Sequence, residues 1–146
     1  MADQVKSAED GHAGVELALA VAVLLIPVAV GVLAFAPWTE RSVLAEAAAA
    51  EAARAAVLAL SVEAGSDAVD AMAQNYGLGP DQIRLGWCGA DPAIGGVGSC
   101  PMGRGAIIEV AVQVWVPMIM TPWGEVGGIW IGAEHAEVVD LYRSIG

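Results

Sequence analysis

The sequence predicts an α+β protein in which a long N-terminal membrane-spanning helix continues into a small antiparallel β-sheet domain. Leu17–Ala36 carries no charged side chain and, at about 20 residues, matches the length that a helix needs to cross a bilayer. An alanine-rich stretch follows from Thr39, and alanine is the strongest helix former. After Pro80 the pattern changes to alternating β-branched residues, which is typical of strands.

Composition and charge limit the possible functions. The 146 residues, 57% of them apolar, allow one small domain in addition to a membrane segment. With 17 acidic and 6 basic residues, the formal net charge is −11. Phosphate binding needs a basic surface, so we expect no nucleic-acid partner. The same charge argues against docking on anionic lipids through a basic patch.

A specific spacing precedes the apolar run. Gly11 is followed by four residues, then Glu16, then the uncharged stretch. This order is the pattern of a type IV prepilin leader junction. Together with the alanine-rich continuation and the C-terminal segment Glu137–Arg143, it resembles the TadE-like small pilin-type proteins of tight-adherence (Flp) pilus systems. Residues 11–36 carry the specific part of the resemblance.

The resemblance implies a minor pilin or pilus-assembly protein, a structural component with no enzymatic activity and no cofactor. A prepilin peptidase would cut between Gly11 and His12 and remove residues 1–11 as a leader. Residues 12–64 would form the transmembrane and extended helix, and residues 65–146 a small extracytoplasmic α+β domain, pilin-like in architecture. The protein would be a single-pass protein of the cytoplasmic membrane, or part of the extracellular pilus. Its partners would be other pilin subunits and the assembly machinery.

Glu16 has two physical interpretations. A carboxylate at the edge of a membrane helix is costly unless it is hydrated or paired. After cleavage, His12 would carry a free α-amino group about one helical turn from Glu16, and the carboxylate of one subunit would compensate the amino group of its neighbour. Alternatively, Glu16 lies among the lipid headgroups, where an acid suits the N-terminal end of a helix.

Three observations keep other interpretations open. Prepilin leaders usually carry Lys or Arg before the glycine, whereas Glu9 and Asp10 stand here, and the charges flanking the helix do not decide its orientation. Ala34–Ala36 forms an A-x-A site at which a signal peptidase would release a soluble domain, although the following Pro37 disfavours that cut. The alternative function is a signal-anchored extracytoplasmic binding or adaptor domain that does not enter a filament.

The second half of the helix also has two interpretations. Its small side chains permit close packing, either between subunits in a filament core or against the sheet of its own domain. Gly65 is predicted to end this helix, and Ser66 to cap a short second helix over Asp67–Tyr76.

Three strands are predicted beyond Pro80. They cover Gln82–Trp87, Ala106–Val116 and Gly128–Val139, and the last two are expected to pair antiparallel. The second has the clearest pattern, with four β-branched residues on one face: Ile108, Val110, Val112 and Val114. Pro117 and Pro122 are expected to close an apolar loop between the last two strands.

Cys88 and Cys100 bracket a glycine-rich loop. A disulfide there would stabilise the fold by about 3 kcal/mol in the chain-entropy estimate. Two cysteines do not build a structural zinc site, and the spacing is not that of a CxxC redox motif. Free thiols are the alternative, because the sequence does not by itself determine the compartment.

No catalytic constellation is evident. No serine lies in a nucleophile elbow, and no glycine-rich segment ends in the Lys-Ser/Thr of a phosphate loop. His135 and Glu137 would share a strand face, which is more typical of a solvated surface than of a metal site. We therefore predict no enzymatic activity, cofactor or metal.

The tryptophans of the C-terminal half offer a further candidate. An apolar cluster is predicted around the loop between the last two strands, formed by Trp115, Met118, Ile119, Met120, Trp123 and Trp130. Ordinary core packing is one interpretation. A contact surface for a neighbouring subunit is the other, since Trp and Met favour interfaces.

Overall fold

The structure is a computed structural model that describes the backbone of residues 3–121 and 123–142, and the side chains within them except at 3–12, 33, 34, 36 and 119–121. Two helices and four strands follow one another along the chain: α1 (Asp3–Ala59), α2 (Val62–Asn75), β1 (Ile83–Trp87), β2 (Gly96–Val97), β3 (Ile107–Thr121) and β4 (Gly124–Val138). The chain divides into two compact units, Met1–Ala36 and Pro37–Gly146. Its architecture is α+β, as predicted.

The first unit consists of the N-terminal part of α1. Every described side chain between Ala13 and Val30 is exposed, and Leu17 and Leu24 are each 68% exposed. The described segment Ala13–Ala59 is long and apolar enough to cross a membrane. An apolar helix with no buried face differs from the core helix of a soluble domain, which is buried on at least one side.

The boundary between the two helices lies earlier than predicted. Leu60 adopts a left-handed conformation with φ 54°, and the Ser61 N–H donates to the Ala56 carbonyl over 3.1 Å. This pattern matches the Schellman motif that ends many helices, with leucine in the place where glycine is usual. The prediction that Gly65 ends the first helix is therefore wrong, and Gly65 is a buried residue of α2.

Ser61, and not the predicted Ser66, caps α2. Its Oγ accepts a hydrogen bond from the Ala64 N–H at 3.3 Å and donates one to Glu63 Oε2 at 2.6 Å. The hydrogen bond from Ser61, followed by one from the backbone N–H of Glu63 itself, lowers the pKa of the Glu63 carboxyl. An acid in the first turn also suits the helix dipole.

The core of the second unit lies between the helices and one face of the sheet. Six alanines of α1 have no exposed surface and join the same buried cluster as Ile108, Val110, Val112 and Val114 of β3; they are Ala45, Ala48, Ala49, Ala52, Ala53 and Ala56. The predicted apolar face of β3 is thus confirmed. For this part of α1, the structure shows packing within its own domain, because alanines allow a helix to approach closely.

The sheet is mixed, in the order β2-β1-β3-β4. β1 pairs antiparallel with β3, and β3 with β4, as predicted for the last pair. The two-residue strand β2 pairs parallel with β1, with Gly86 opposite Gly96. The prediction of a purely antiparallel sheet is therefore wrong. Gly96–Val97 lies in a glycine-rich segment without any alternation that would have indicated a strand.

β3 continues through Pro117 to Thr121, so the predicted apolar loop is replaced by a long hairpin arm. Pro117 lies opposite Gly128 of β4. β1, on the other side of β3, does not extend as far as Pro117, since the last backbone hydrogen bond between them runs from the Trp115 N–H to the Gln82 carbonyl. Proline lacks an N–H, and is tolerated in a strand where that group would have no partner.

Candidate functional site

The predicted processing site lies in the first unit. The α1 backbone is helical through Gly11 and His12, but their side chains lie outside those that the structure describes. Glu16 is exposed. The structure therefore places Glu16 on an accessible helix surface and leaves the predicted pairing with the α-amino group of His12 as a prediction.

Cys88 and Cys100 form a disulfide, which confirms the predicted pair. Their Cα atoms are 5.3 Å apart. Cys88 directly follows β1, and its N–H donates to the Glu109 carbonyl of β3 over 2.9 Å. The Gly98 N–H donates to the Trp87 carbonyl over 2.8 Å. The bond thus fastens the glycine-rich segment and β2 along the outer side of β1.

The predicted tryptophan cluster is divided among the side chains that the structure describes, and the side chains of Ile119 and Met120 lie outside them. Trp115 and Trp130 are cross-strand partners, and their ring centroids are 5.3 Å apart. They alternate with the buried valines of β3 and therefore lie on the sheet face that the helices leave open. Trp123, by contrast, is 93% exposed at the tip of the hairpin arm.

Arg84 completes the aromatic pair. Its guanidinium carbon lies 3.7 Å from the centroid of a Trp130 ring, the geometry of a cation–π contact. Gly128 makes room for Trp115, because a Cβ there would meet the indole ring and lie 2.6 Å from the Val116 carbonyl oxygen. Sequence reasoning missed Arg84, since its partners lie far along the chain and nothing in the local pattern joins them.

A shallow recess of about 400 Å³ borders this pair. Asp81, Gln82 and Glu125 line it together with Arg84 and the two tryptophans. The Gln82 side-chain amide donates to both carboxylate oxygens of Glu125, at 3.1 and 3.2 Å. These contacts tie the outer end of the hairpin arm to the segment that precedes β1.

His135 and Glu137 lie on the same side of β4, as predicted. The His135 Nε2 and Glu137 Oε2 atoms are 3.9 Å apart, and the two side chains are 43% and 38% exposed. Within the described part of the chain, no three His, Cys, Asp or Glu side chains are grouped as a metal site would require. The pair has the character of a solvated strand surface.

These features define an α+β chain with one apolar helix near its N-terminus and a small disulfide-bonded domain. No family model, curated protein or solved structure matches it.

Proposed function

We propose that this chain is a TadE-like minor pilin or assembly component of a tight-adherence, type IV-like pilus. A prepilin peptidase cuts it after Gly11, and the helix that begins at His12 holds it in the cytoplasmic membrane. The domain beyond the helix faces away from the cytoplasm. The protein then enters the pilus or acts beneath it, next to other pilin subunits.

The observation that carries the proposal is the exposed apolar helix that follows Glu16. From Leu17 to Val30 each side chain is exposed, and none is charged. Such a surface needs lipid or other apolar helices around it. A pilin helix is surrounded by lipid in the bilayer and later by other helices in the filament. The Gly11–Glu16 spacing supplies the signal for the cleavage that precedes assembly.

The domain supports a structural role. Its disulfide is compatible with an oxidising compartment outside the cytoplasm. The open sheet face and the hairpin arm present aromatic and apolar side chains, including Trp123 and the 63% exposed Met118, as subunit contacts do. An adaptor that stays in the membrane would show the same surfaces but would need no cleavage.

The test is the mature N-terminus, determined by mass spectrometry on protein from the native host. We expect it to begin at His12. Gly11→Leu should leave the full-length precursor in the membrane, whereas Gly14→Leu, the same change three residues further on, should still be cut. A mature N-terminus at Pro37, or an uncleaved chain beginning at Met1, would contradict the proposal and favour a released or anchored domain.

A further inference from the structure

β4 has an open edge. It is the last strand in the sheet order β2-β1-β3-β4, and in the described part of the chain no strand pairs with its outer side. The burial pattern agrees, since most of its residues are exposed. A long open edge presents backbone donors and acceptors that can template another strand.

The direction of the β4 backbone groups follows from the bonds of its neighbours. Glu109 and Trp115 of β3 use their backbone groups towards β1, by accepting from the Cys88 N–H and donating to the Gln82 carbonyl. The direction of these groups alternates along a strand. The backbone groups of every second residue of β3, from Ile108 to Val116, therefore face β4. Their partners on β4 are Ile129, Ile131, Ala133, His135 and Glu137.

The residues between these partners therefore direct their N–H and C=O groups outward; they are Gly128, Trp130, Gly132, Glu134 and Ala136. Val139, directly after the strand, continues the inward-facing series, since its N–H donates to the Ala106 carbonyl over 2.8 Å. Between Gly128 and Ala136, the outer edge of β4 is thus a regular series of backbone groups that pair with no strand among the described residues.

Charge is unevenly distributed along this edge. Val126–Ala133 is uncharged, and Val126 and Ile129 are 56% and 44% exposed. Acidic residues stand at the C-terminal end of this stretch, where Glu134 and Glu137 follow it. At the other end, the Glu125 carboxylate accepts two hydrogen bonds from Gln82 on the β1 side of the sheet. Charged residues beside an exposed strand are a known means of preventing self-association.

We propose that the outer edge of β4 from Gly128 to Ala136 binds an extended segment of a partner protein by strand addition, and that this segment has an uncharged part followed by Lys or Arg opposite Glu134. The backbone bonds provide affinity, and the charge match provides selectivity. Within the uncharged stretch, the six residues Gly128–Ala133 correspond to about 20 Å of extended chain. The extended backbone begins at Gly128 because Gly127 has a left-handed φ of 65°. This interaction goes beyond the proposed function and does not depend on cleavage after Gly11.

The binding test uses the full chain in detergent micelles and two synthetic peptides. The first is Lys-Lys-Val-Thr-Val-Thr-Val-Thr-Lys-Lys, and the second carries Glu in place of every Lys. We expect the basic peptide to bind about tenfold more tightly or better at low salt, because several exposed charge pairs each contribute a small amount. The difference should shrink at high salt. On binding, the amide protons of Trp130, Gly132 and Glu134 should become protected from exchange.

Matched variants test the edge itself. Gly132→Pro removes one outward N–H and should abolish peptide binding, whereas Gly132→Ala, which keeps the N–H, should bind as the wild type does. Urea unfolding of both variants verifies that they fold. Glu134→Gln should reduce the preference for the basic peptide, and because it leaves the backbone groups unchanged it should not disturb the edge.

Four results would overturn the proposal: no binding of the basic peptide, equal binding of both peptides, protection confined to amides outside β4, or unchanged binding of the basic peptide by the Gly132→Pro variant. A concentration-dependent dimer of the wild type that Gly132→Pro abolishes would identify a second copy as the occupant, and would overturn it as well.

Discussion

Gly65 of α2 lies directly against the indole of Trp87 at the end of β1. A Cβ on Gly65 would be 2.8 Å from Trp87 Cζ2 and 2.6 Å from the Ala52 carbonyl oxygen of α1. The neighbouring Ser66 Oγ accepts the Trp87 indole N–H at 3.3 Å. Two helices and the sheet therefore meet at one residue that has no side chain.

We expect Gly65→Ala to lower the free energy of unfolding by about 1–3 kcal/mol, the usual cost of overpacking. This cost should exceed the gain of up to about 1 kcal/mol that alanine brings to a helix. Urea unfolding in detergent micelles measures the difference. Gly103→Ala is the control, because a Cβ there meets no atom within 4 Å. A Gly65→Ala variant as stable as wild type would show that α2 does not pack as described.

Ser61→Ala should destabilise the fold by about 1 kcal/mol at neutral pH, because the cap of α2 is lost. The loss should become smaller on acidification. The hydrogen bond from Ser61 lowers the pKa of Glu63 below its ordinary value of 4.5. The stabilisation from this hydrogen bond is therefore complete above pH 4.5 and disappears as the pH falls through the lowered pKa. Unfolding curves of both proteins at neutral and acidic pH test this. Exposed Ser99→Ala should have little effect at either pH.

Replacing both Cys88 and Cys100 with serine should cost about 3 kcal/mol, from the entropy that the cross-link removes from the unfolded chain. A reducing agent should lower the stability of the wild type by a similar amount and leave the double variant unchanged. Non-reducing peptide mapping of envelope-derived protein shows whether the bond forms in the cell. Two free, alkylatable thiols there would count against the extracytoplasmic location.

Ala49→Leu and Ala47→Leu form a matched pair on α1. Ala49 has no exposed surface, whereas Ala47 is exposed. The larger side chain should cost about 1–3 kcal/mol at Ala49 and less than about 0.5 kcal/mol at Ala47. Equal effects in urea unfolding would mean that the alanine face does not pack in its own domain. If the exposed side of α1 contacts other subunits, Ala47→Leu should reduce the number of pili although the variant remains as stable as wild type.

Glu16→Ala distinguishes assembly from anchoring. Removing a charge from the edge of a membrane helix should leave the efficiency of membrane insertion unchanged or increase it, since an acid near the bilayer is costly. A pilus subunit should then insert and be cleaved but fail to assemble, because the α-amino group of its neighbour loses its counter-charge. Membrane fractionation, mass spectrometry and pilus counts score the three steps, with Glu40→Ala as the control. Normal pili that contain the Glu16→Ala subunit would refute the pairing role.

The sequence by itself determined the elements whose signal is local. An uncharged run such as Leu17–Ala36 has few alternatives to a long apolar helix, and the alternation from Ile108 to Val114 identifies both a strand and its buried face. The two cysteines were paired correctly because no other cysteine is available. These predictions needed only the period of the helix or strand and the count of residues.

Only the tertiary structure decided the features that depend on distant partners. Gly65 has the sequence signal of a helix end, yet it lies within α2, and glycine is needed there because Trp87 and Ala52 occupy the space of a side chain. Pro117 has the signal of a strand end, yet β3 continues past it because β1 has stopped and no N–H is needed. Arg84 stacks on Trp130 because the strand register brings them together. Each of these features depends on contacts with residues that are distant in the sequence, and local propensity carries no information about such contacts.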